Sequence, residues 1–243
     1  GAEHRHRKQM FLSLMSSERL QQLATTMLRL LRIGAERWST MEQIVLYDEL
    51  HVVLTRAVCE WSGVPLPEED VAMRAEQLSA MFDRAGAVGP PHWWSRHARN
   101  RAEQWIAEIV EGIRAGTIES PQESAAHRIA SYRDSKGQLL EAKIAAVELL
   151  NVLRPTVAVS VYIVFLVHAL HVNPEYRSPL QSQDDQLTQA FVQEVRRFYP
   201  FFPAVPAIVR ETFEWKGMPF PQGTRVLLDL HGVNHDPRLW KEP

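Results

Sequence analysis

Arg154-Pro155 stands at the head of an apolar run, Thr156 to Leu170, that carries no formal charge. Val147-Glu148-Leu149-Leu150-Asn151-Val152-Leu153 precedes it, so the guanidinium is set among aliphatic side chains. A proline inside a helix frees the carbonyl four residues back and costs about 3 kcal/mol. A cation in apolar surroundings needs an anionic partner or water. Two chemistries answer that need. Arg154 pairs with Glu148 or another internal acid, or it turns its planar fork into a cavity to hold a carboxylate or phosphate through two bonds. A second charged pair, Glu194 and Arg197, has the i, i+3 spacing that puts both on one helix face. Such pairs are commonly solvated and contribute under about 1 kcal/mol. Here the helix ends in aromatics and Pro200, followed by Phe201-Phe202-Pro203 and, further on, Asn234-His235-Asp236-Pro237.

Other chemistry-bearing residues lack the spacing their chemistry needs. Close pairs among the 10 histidines include His4/His6, His92/His97 and His168/His171, with no HExxH and no carboxylate at ligand distance in sequence. No histidine-based metal site is expected. The chain has no GxSxG, no P-loop and no GxGxxG, so hydrolase, NTPase and dinucleotide chemistries lack their glycine scaffolds. Arg96-His97-Ala98-Arg99-Asn100-Arg101, beside Trp93 and Trp94, reads as a solvated helix face rather than an RNA or phosphate patch. The single cysteine, Cys59, excludes an internal disulfide and points to a reducing compartment.

These residues must be positioned by an almost wholly helical chain. Ser16-Ser17-Glu18 caps an amphipathic helix carrying Leu20, Leu23, Met27, Leu28 and Leu31. Glu42 to Tyr47 predicts a brief strand, and Asp48 then caps a helix that stops at Gly63-Val64-Pro65. Pro67 opens another helix, and the loop Gly86-Ala87-Val88-Gly89-Pro90-Pro91 breaks it from a long helix over 92–115. A very long helical pattern runs over 138–171. Its run of 15 uncharged residues falls short of the roughly 18 to 20 a membrane span needs, so it reads as a core helix buried on nearly all faces. Asn173-Pro174 interrupts, and a last helix starts near Asp184 and ends before Pro200. Phe213-Glu214-Trp215 and Met218-Pro219-Phe220 flank Lys216-Gly217 as a hairpin, Gln222-Gly223 turns again, and Arg225 to Leu230 is a strand. We therefore expect one domain over 1–243, helical over 1–200, with short strands and turns over 201–243.

Composition adds bounds. The chain has 243 residues, 45% of them hydrophobic and 23% charged, an ordinary globular balance. A net charge of -2 argues against a bulk nucleic-acid binder. The polar, basic start, Arg5-His6-Arg7-Lys8, has no apolar segment behind it and is not a secretory signal. A cytoplasmic location and the absence of a transmembrane segment are expected.

Glu194-x-x-Arg197, the Pro/Phe segment, the hairpin and Asn234-His235-Asp236-Pro237 resemble the K-helix region of cytochromes P450. Gln193-Glu194-Val195-Arg196-Arg197-Phe198-Tyr199-Pro200-Phe201, Leu227-Leu228-Asp229-Leu230 and above all Leu153-Arg154-Pro155 resemble the bacterial fatty-acid peroxygenase and decarboxylase branch. The resemblance covers essentially the whole chain. It implies a mainly α, cytochrome P450 fold, from the C to the K helices with part of the small sheet, incomplete at both ends. It also implies haem b as cofactor, hydrogen peroxide as oxidant, a fatty acid as substrate and no redox-partner protein.

By resemblance, Arg154 and Pro155 are the catalytic pair. Arg154 binds the fatty-acid carboxylate over the haem, and that carboxylate does the acid–base work that an acid–alcohol pair performs in P450 monooxygenases. Pro155 distorts the helix and opens room. Products are 2- or 3-hydroxy acids, or a terminal alkene with loss of carbon dioxide. Val88, Phe201 and Phe202 join Arg154 in lining the acyl site. His4, Arg7 and Lys8 meet the haem propionates, and Glu194 and Arg197 form a structural lock. Cys59 lies far upstream of Glu194, so the thiolate ligand that such a haem needs is expected downstream of Pro243. The alternatives are a non-enzymatic fatty-acid-binding helical domain and a P450 that takes electrons from a redox partner.

Overall fold

The computed structural model describes residues 2–84, 86–182 and 184–241, with side chains from residue 5 onward. The chain resolves into two compact units, residues 1–160 and 161–243, and the boundary falls inside one long helix.

The first unit is helical throughout: α1 (Ala2–Leu14), α2 (Ser17–Trp38), α3 (Leu46–Ser62), α4 (Val71–Asp83), α5 (Pro90–Ala115), α6 (Ala125–Ala130) and the first part of α7 (Ala142–Val172). Helix α3 is central and packs on α2 and α4, while α5 packs on α4 and α6. Its apolar residues fall on several faces, and Leu50, Leu54 and Val58 are fully buried with Leu78 of α4, Ile106 and Val110 of α5, Ile129 of α6 and Leu149 and Leu153 of α7. Each such side chain removed from water contributes about 1.5–3 kcal/mol.

The helix ends follow their local chemistry. Ser16 caps α2, its hydroxyl accepting from the Arg19 amide at 3.3 Å. Helix α3 stops at Gly63, whose φ of +73° is the left-handed C-terminal stop. The expected strand at Glu42–Tyr47 does not form. Residues 42–45 are a loop, no strand lies beside them among the described residues, and Ile44-Val45 alone cannot satisfy a ladder. Nor does Asp48 cap α3, because the helix begins earlier, at Leu46, with Val45 in the cap position. Asp48 instead lies in the first turn, where its charge faces the positive end of the helix.

Helix α7 runs unbroken from Ala142 to Val172 through Pro155. The Thr156 hydroxyl bonds back to the Val152 carbonyl at 2.9 Å. In its first half Ala145, Ala146, Leu149, Leu150, Val152, Leu153 and Val157 are buried. Beyond Val157 the expectation of burial on nearly all faces fails: Ser160 and Ala169 are buried, whereas the described residues leave Val159 and Val167 uncovered. By length and composition alone, α7 is the one helix among the described residues that could cross a membrane. The ion-paired Glu148 and the buried residues around it fit a core helix instead.

The second unit contains the rest of α7, α8 (Arg177–Gln181), α9 (Asp185–Phe198), strands β1 (Ala204–Ile208), β2 (Phe213–Trp215), β3 (Met218–Phe220) and β4 (Arg225–Asp229), and α10 (Leu230–Asn234). Strands β2 and β3 form the expected antiparallel hairpin, Phe213 opposite Phe220. Lys216 and Gly217 both have positive φ, 52° and 76°, which gives the turn whose twist matches its strands. Strand β4 pairs antiparallel with β1, Val205 opposite Leu228.

Candidate functional site

Within the first unit, Arg154 is half-buried on α7 and makes no hydrogen bond or ion pair among the described residues. The acid that might have neutralised it is engaged elsewhere. Glu148 accepts from Nη1 of Arg7 at 3.0 Å and from Asn151 at 3.4 Å. Six residues apart on a helix, Glu148 and Arg154 also point about 120° apart. Burial disfavours the charged form of Arg154, and the positive charge of Arg99 on α5 adds to that penalty. Arginine nevertheless stays protonated. The result is a desolvated cation without its anion, beside a second cation, which is the electrostatic condition for capturing a carboxylate. Nothing in the sequence pairs Arg99 with Arg154, because only the packing of two distant helices brings their charges within reach. Pro155 is exposed on the same turn.

Other candidates in this unit are placed less closely. Arg7 is tied to Glu148, Lys8 is exposed, and the His4 side chain lies outside the described residues. Val88 is 86% exposed on the loop joining α4 and α5. Cys59 is buried in α3, and burial pushes its thiol up to about 12. That thiol stays protonated and enclosed, so the described residues offer no thiolate to a haem iron. With Arg7 committed to Glu148 as well, the residues present do not complete a haem site.

In the second unit, α9 brings Glu194 and Arg197 together. Arg197 is nearly buried and bonds Glu194 through Nε at 2.9 Å and Nη2 at 2.5 Å, while its Nη1 donates to the carbonyl of Asn234. The Trp240 ring covers the guanidinium, 4.9 Å from its centroid. The bond from Arg197 holds the Glu194 carboxyl below its ordinary range. This pair therefore ties α9 to α10 and is not the solvated surface pair that its spacing alone suggests. Phe201 and Phe202 meet edge to face at 4.4 Å, and Phe201 continues to Tyr162 of α7 at 6.0 Å. A cleft of about 600 Å³ opens beside Ala169, Tyr176, Leu187, Phe191, Glu194 and Tyr199. Its only trace in the sequence is the apolar stripe of α9.

A buried polar group in the first unit also escaped sequence reasoning. The Tyr47 hydroxyl donates to Oδ1 of Asp83 at 2.5 Å, joining the start of α3 to the end of α4. His51 packs edge-on against Tyr47 and Phe82, with its Nε2 buried and unpartnered among the described residues. Burial pushes the His51 pKa down, with Asp83 and Asp48 opposing the shift.

The cytochrome P450 family model matches residues 180–243. Cytochrome P450 monooxygenase acuD of Aspergillus aculeatus is 39% identical over 70 residues, 28% of this chain and 13% of its own. Cytochrome P450 monooxygenase ple5B of Rhodocybe pseudopiperita is 39% identical over 56 residues, 23% of this chain and 11% of its own. Likeness to solved structures extends over the whole chain. A variant of cytochrome P450SP alpha is 52% identical, with a TM-score of 0.93 over 100% of this chain and 59% of that one. Cytochrome P450EX alpha, solved as wild type with myristic acid, is 45% identical, with a TM-score of 0.90 over 100% of this chain and 58% of that one. Ligand-free cytochrome P450 OleT is 32% identical, with a TM-score of 0.93 over 100% of this chain and 58% of that one. The chain thus spans under three-fifths of the length of the solved structures it matches.

Proposed function

The chain belongs to the cytochrome P450 superfamily, and from that premise we propose that the intact protein is a hydrogen-peroxide-dependent fatty-acid hydroxylase or decarboxylase. One observation carries the reading: Arg154 is a half-buried guanidinium with no ion pair among the described residues, while Glu148 is held by Arg7. A matching structure solved with myristic acid supports a fatty acid as the anion that completes it.

The Arg154 fork takes both carboxylate oxygens, and the acyl chain runs away from it; Val88, Phe201 and Phe202 are each proposed as acyl-contacting residues. Two parallel charge-assisted bonds fix the carboxylate in direction as well as place. The carbons next to the carboxylate are thereby held at the reacting end, which confines oxidation to the α and β positions. Arg154 keeps the bound acid ionised, so that one carboxylate oxygen takes a proton from hydrogen peroxide and returns it to the departing water. With that relay supplied by the substrate, no acid–alcohol pair is needed in α7 after Arg154, and none is there. Haem b would supply the oxidising chemistry, through a thiolate ligand that the described residues do not provide. His4 and Lys8 are proposed beside its propionates, while Arg7, the other candidate, is held by Glu148. No redox-partner protein is needed, and a cytoplasmic location is proposed.

The test uses the full-length protein. Hydrogen peroxide alone, without NAD(P)H or reductase, should convert a long-chain acid into 2- or 3-hydroxy acid or a terminal alkene, and the ferrous-CO spectrum should show the thiolate band. Turnover only with a reductase would favour a redox-partner-dependent P450. Fatty-acid binding without any haem band would favour a non-enzymatic binding domain.

A further inference from the structure

Trp94, Arg101, Trp105 and Glu108 follow one another at helical spacings of seven, four and three, so they share one face of α5. Helix α4 packs against α5, and the seam between them holds two hollows, both bordered by Arg101. The smaller, of about 70 Å³, is walled by Arg74, Gln104, Trp105 and Glu108. The larger, of about 260 Å³, is walled by Met73, Gln77, Trp94 and Ala98, with Glu76 and His97 beside them. Arg74 is fixed in the seam. Its guanidinium lies over the Trp105 ring, 4.5 Å from the centroid, and its Nη1 donates to Oε1 of Gln77 at 3.0 Å. Asp70 stands 3.8 Å from Nη2, while Nε is buried with no partner among the described residues. Burial disfavours the charged form of Arg74; Asp70 and Glu108 oppose that shift and the charge of Arg101 adds to it. The acids that could neutralise Arg101 are engaged or out of reach. Glu108 accepts from Gln104 at 3.1 Å, and Glu103 is held by Arg99. Arg101 makes no hydrogen bond or ion pair among the described residues.

We propose that the α4–α5 seam is a second carboxylate site, which takes an aryl carboxylate with its charge between Arg101 and Arg74 and its ring in the larger hollow against Trp94 and Met73. A guanidinium presents two parallel donors to a carboxylate, and the free fork of Arg101 offers both. An anion placed there also relieves the repulsion between two neighbouring cations. Trp94 and Met73 are 50% and 36% exposed, and a flat ring laid against them removes that apolar surface from water. The size of the larger hollow, near the lower end for ligand pockets, suits a bicyclic ring and not a long acyl chain. An inorganic anion fits less well, because it fills only the smaller hollow and leaves Trp94 and Met73 in water. The proposal goes beyond the reaction proposed above and does not depend on it.

The test is isothermal titration of 2-naphthoate into the full-length protein carrying Arg154→Ala, so that the clamp proposed on α7 cannot supply the signal. One binding event is expected in that background. Adding Arg101→Gln should weaken it at least about tenfold, the loss of a charge-assisted bond. Trp94→Ala should also weaken it, whereas Glu76→Gln, which removes a like charge from the rim, should tighten it. Neutral 2-naphthamide, of the same shape, should not bind. Arg101, Trp94 and Glu76 are exposed, so unchanged circular dichroism is expected and checks that the variants fold. The proposal is overturned by any of these results: no binding of 2-naphthoate in the Arg154→Ala background, affinity unchanged by Arg101→Gln, equal affinity for 2-naphthamide, or inorganic phosphate bound as tightly as 2-naphthoate.

Discussion

Arg154 owes its chemistry to what surrounds it: aliphatic neighbours on α7, a nearby acid committed to Arg7 and a second cation on α5. Replacing Arg154 by Lys keeps a charge and removes the two-pronged fork. Losing one charge-assisted bond of about 1.5 kcal/mol should weaken binding of myristic acid to the full-length protein about tenfold, as read by titration. Wild-type affinity in Arg154→Lys would mean the fork is not used. His51 gives a prediction in pH. Burial holds its folded pKa below the unfolded value of 6.5, so the unfolded chain binds the proton first. Its contribution to stability is therefore present above pH 6.5 and is lost as the pH falls through that value toward the folded pKa. The urea midpoint of the wild type should drop more steeply between pH 7.5 and 5 than that of His51→Phe. Parallel curves would rule out a neutral, buried His51.

Elements are fixed by their ends and by single buried ties. Gly63 ends α3 at φ +73°, and a Cβ there would lie 2.6 Å from the Ser120 hydroxyl and 2.7 Å from Ser124. Gly63→Ala combines left-handed strain with a clash and should cost more in chemical denaturation than Gly137→Ala, which meets the strain alone, about 1–2 kcal/mol. Gly137 has a similar φ of +78° but open space around it, so the difference between the two variants isolates the contact. In the second unit, Arg197→Ala leaves the Asn234 carbonyl without its donor and strips Glu194 of its partner. A loss of about 1–3 kcal/mol is expected, and an unchanged melting curve would show that α9 and α10 do not rely on this tie. Much of this level was legible in the sequence. The long helices, the Ser16 cap, the stop at Gly63 and the Lys216-Gly217 hairpin follow from periodicity and from residues with one conformational role. The Glu42–Tyr47 segment misled because a short apolar run does not reveal whether a strand partner exists. Strand β1 carries Pro206, which hides an edge strand from pattern reading, and α6 is only six residues long. At the candidate site, Arg154 was visible as a cation in an apolar run, and the choice between Glu148 and an external anion was not. That choice turned on Arg7, 141 residues from Glu148 in sequence, and on Arg99 from another helix.

At the scale of the whole molecule, two compact units share α7, and the chain aligns along its full length with P450 structures while spanning 59% of one of them. Cys59 is enclosed in the first unit with its thiol pushed up to about 12. Full-length Cys59→Ala should therefore keep the ferrous-CO thiolate band at wild-type position and intensity, and loss of that band would make Cys59 the ligand after all. The central claim is that the carboxylate held by Arg154 both anchors the substrate and carries the proton. Its most direct test is peroxide-driven turnover of myristic acid by full-length Arg154→Ala, with haem content measured alongside. Removing an anchored proton carrier should lower turnover by at least about a hundredfold at unchanged haem content. Turnover at the wild-type rate would contradict the clamp and the relay together.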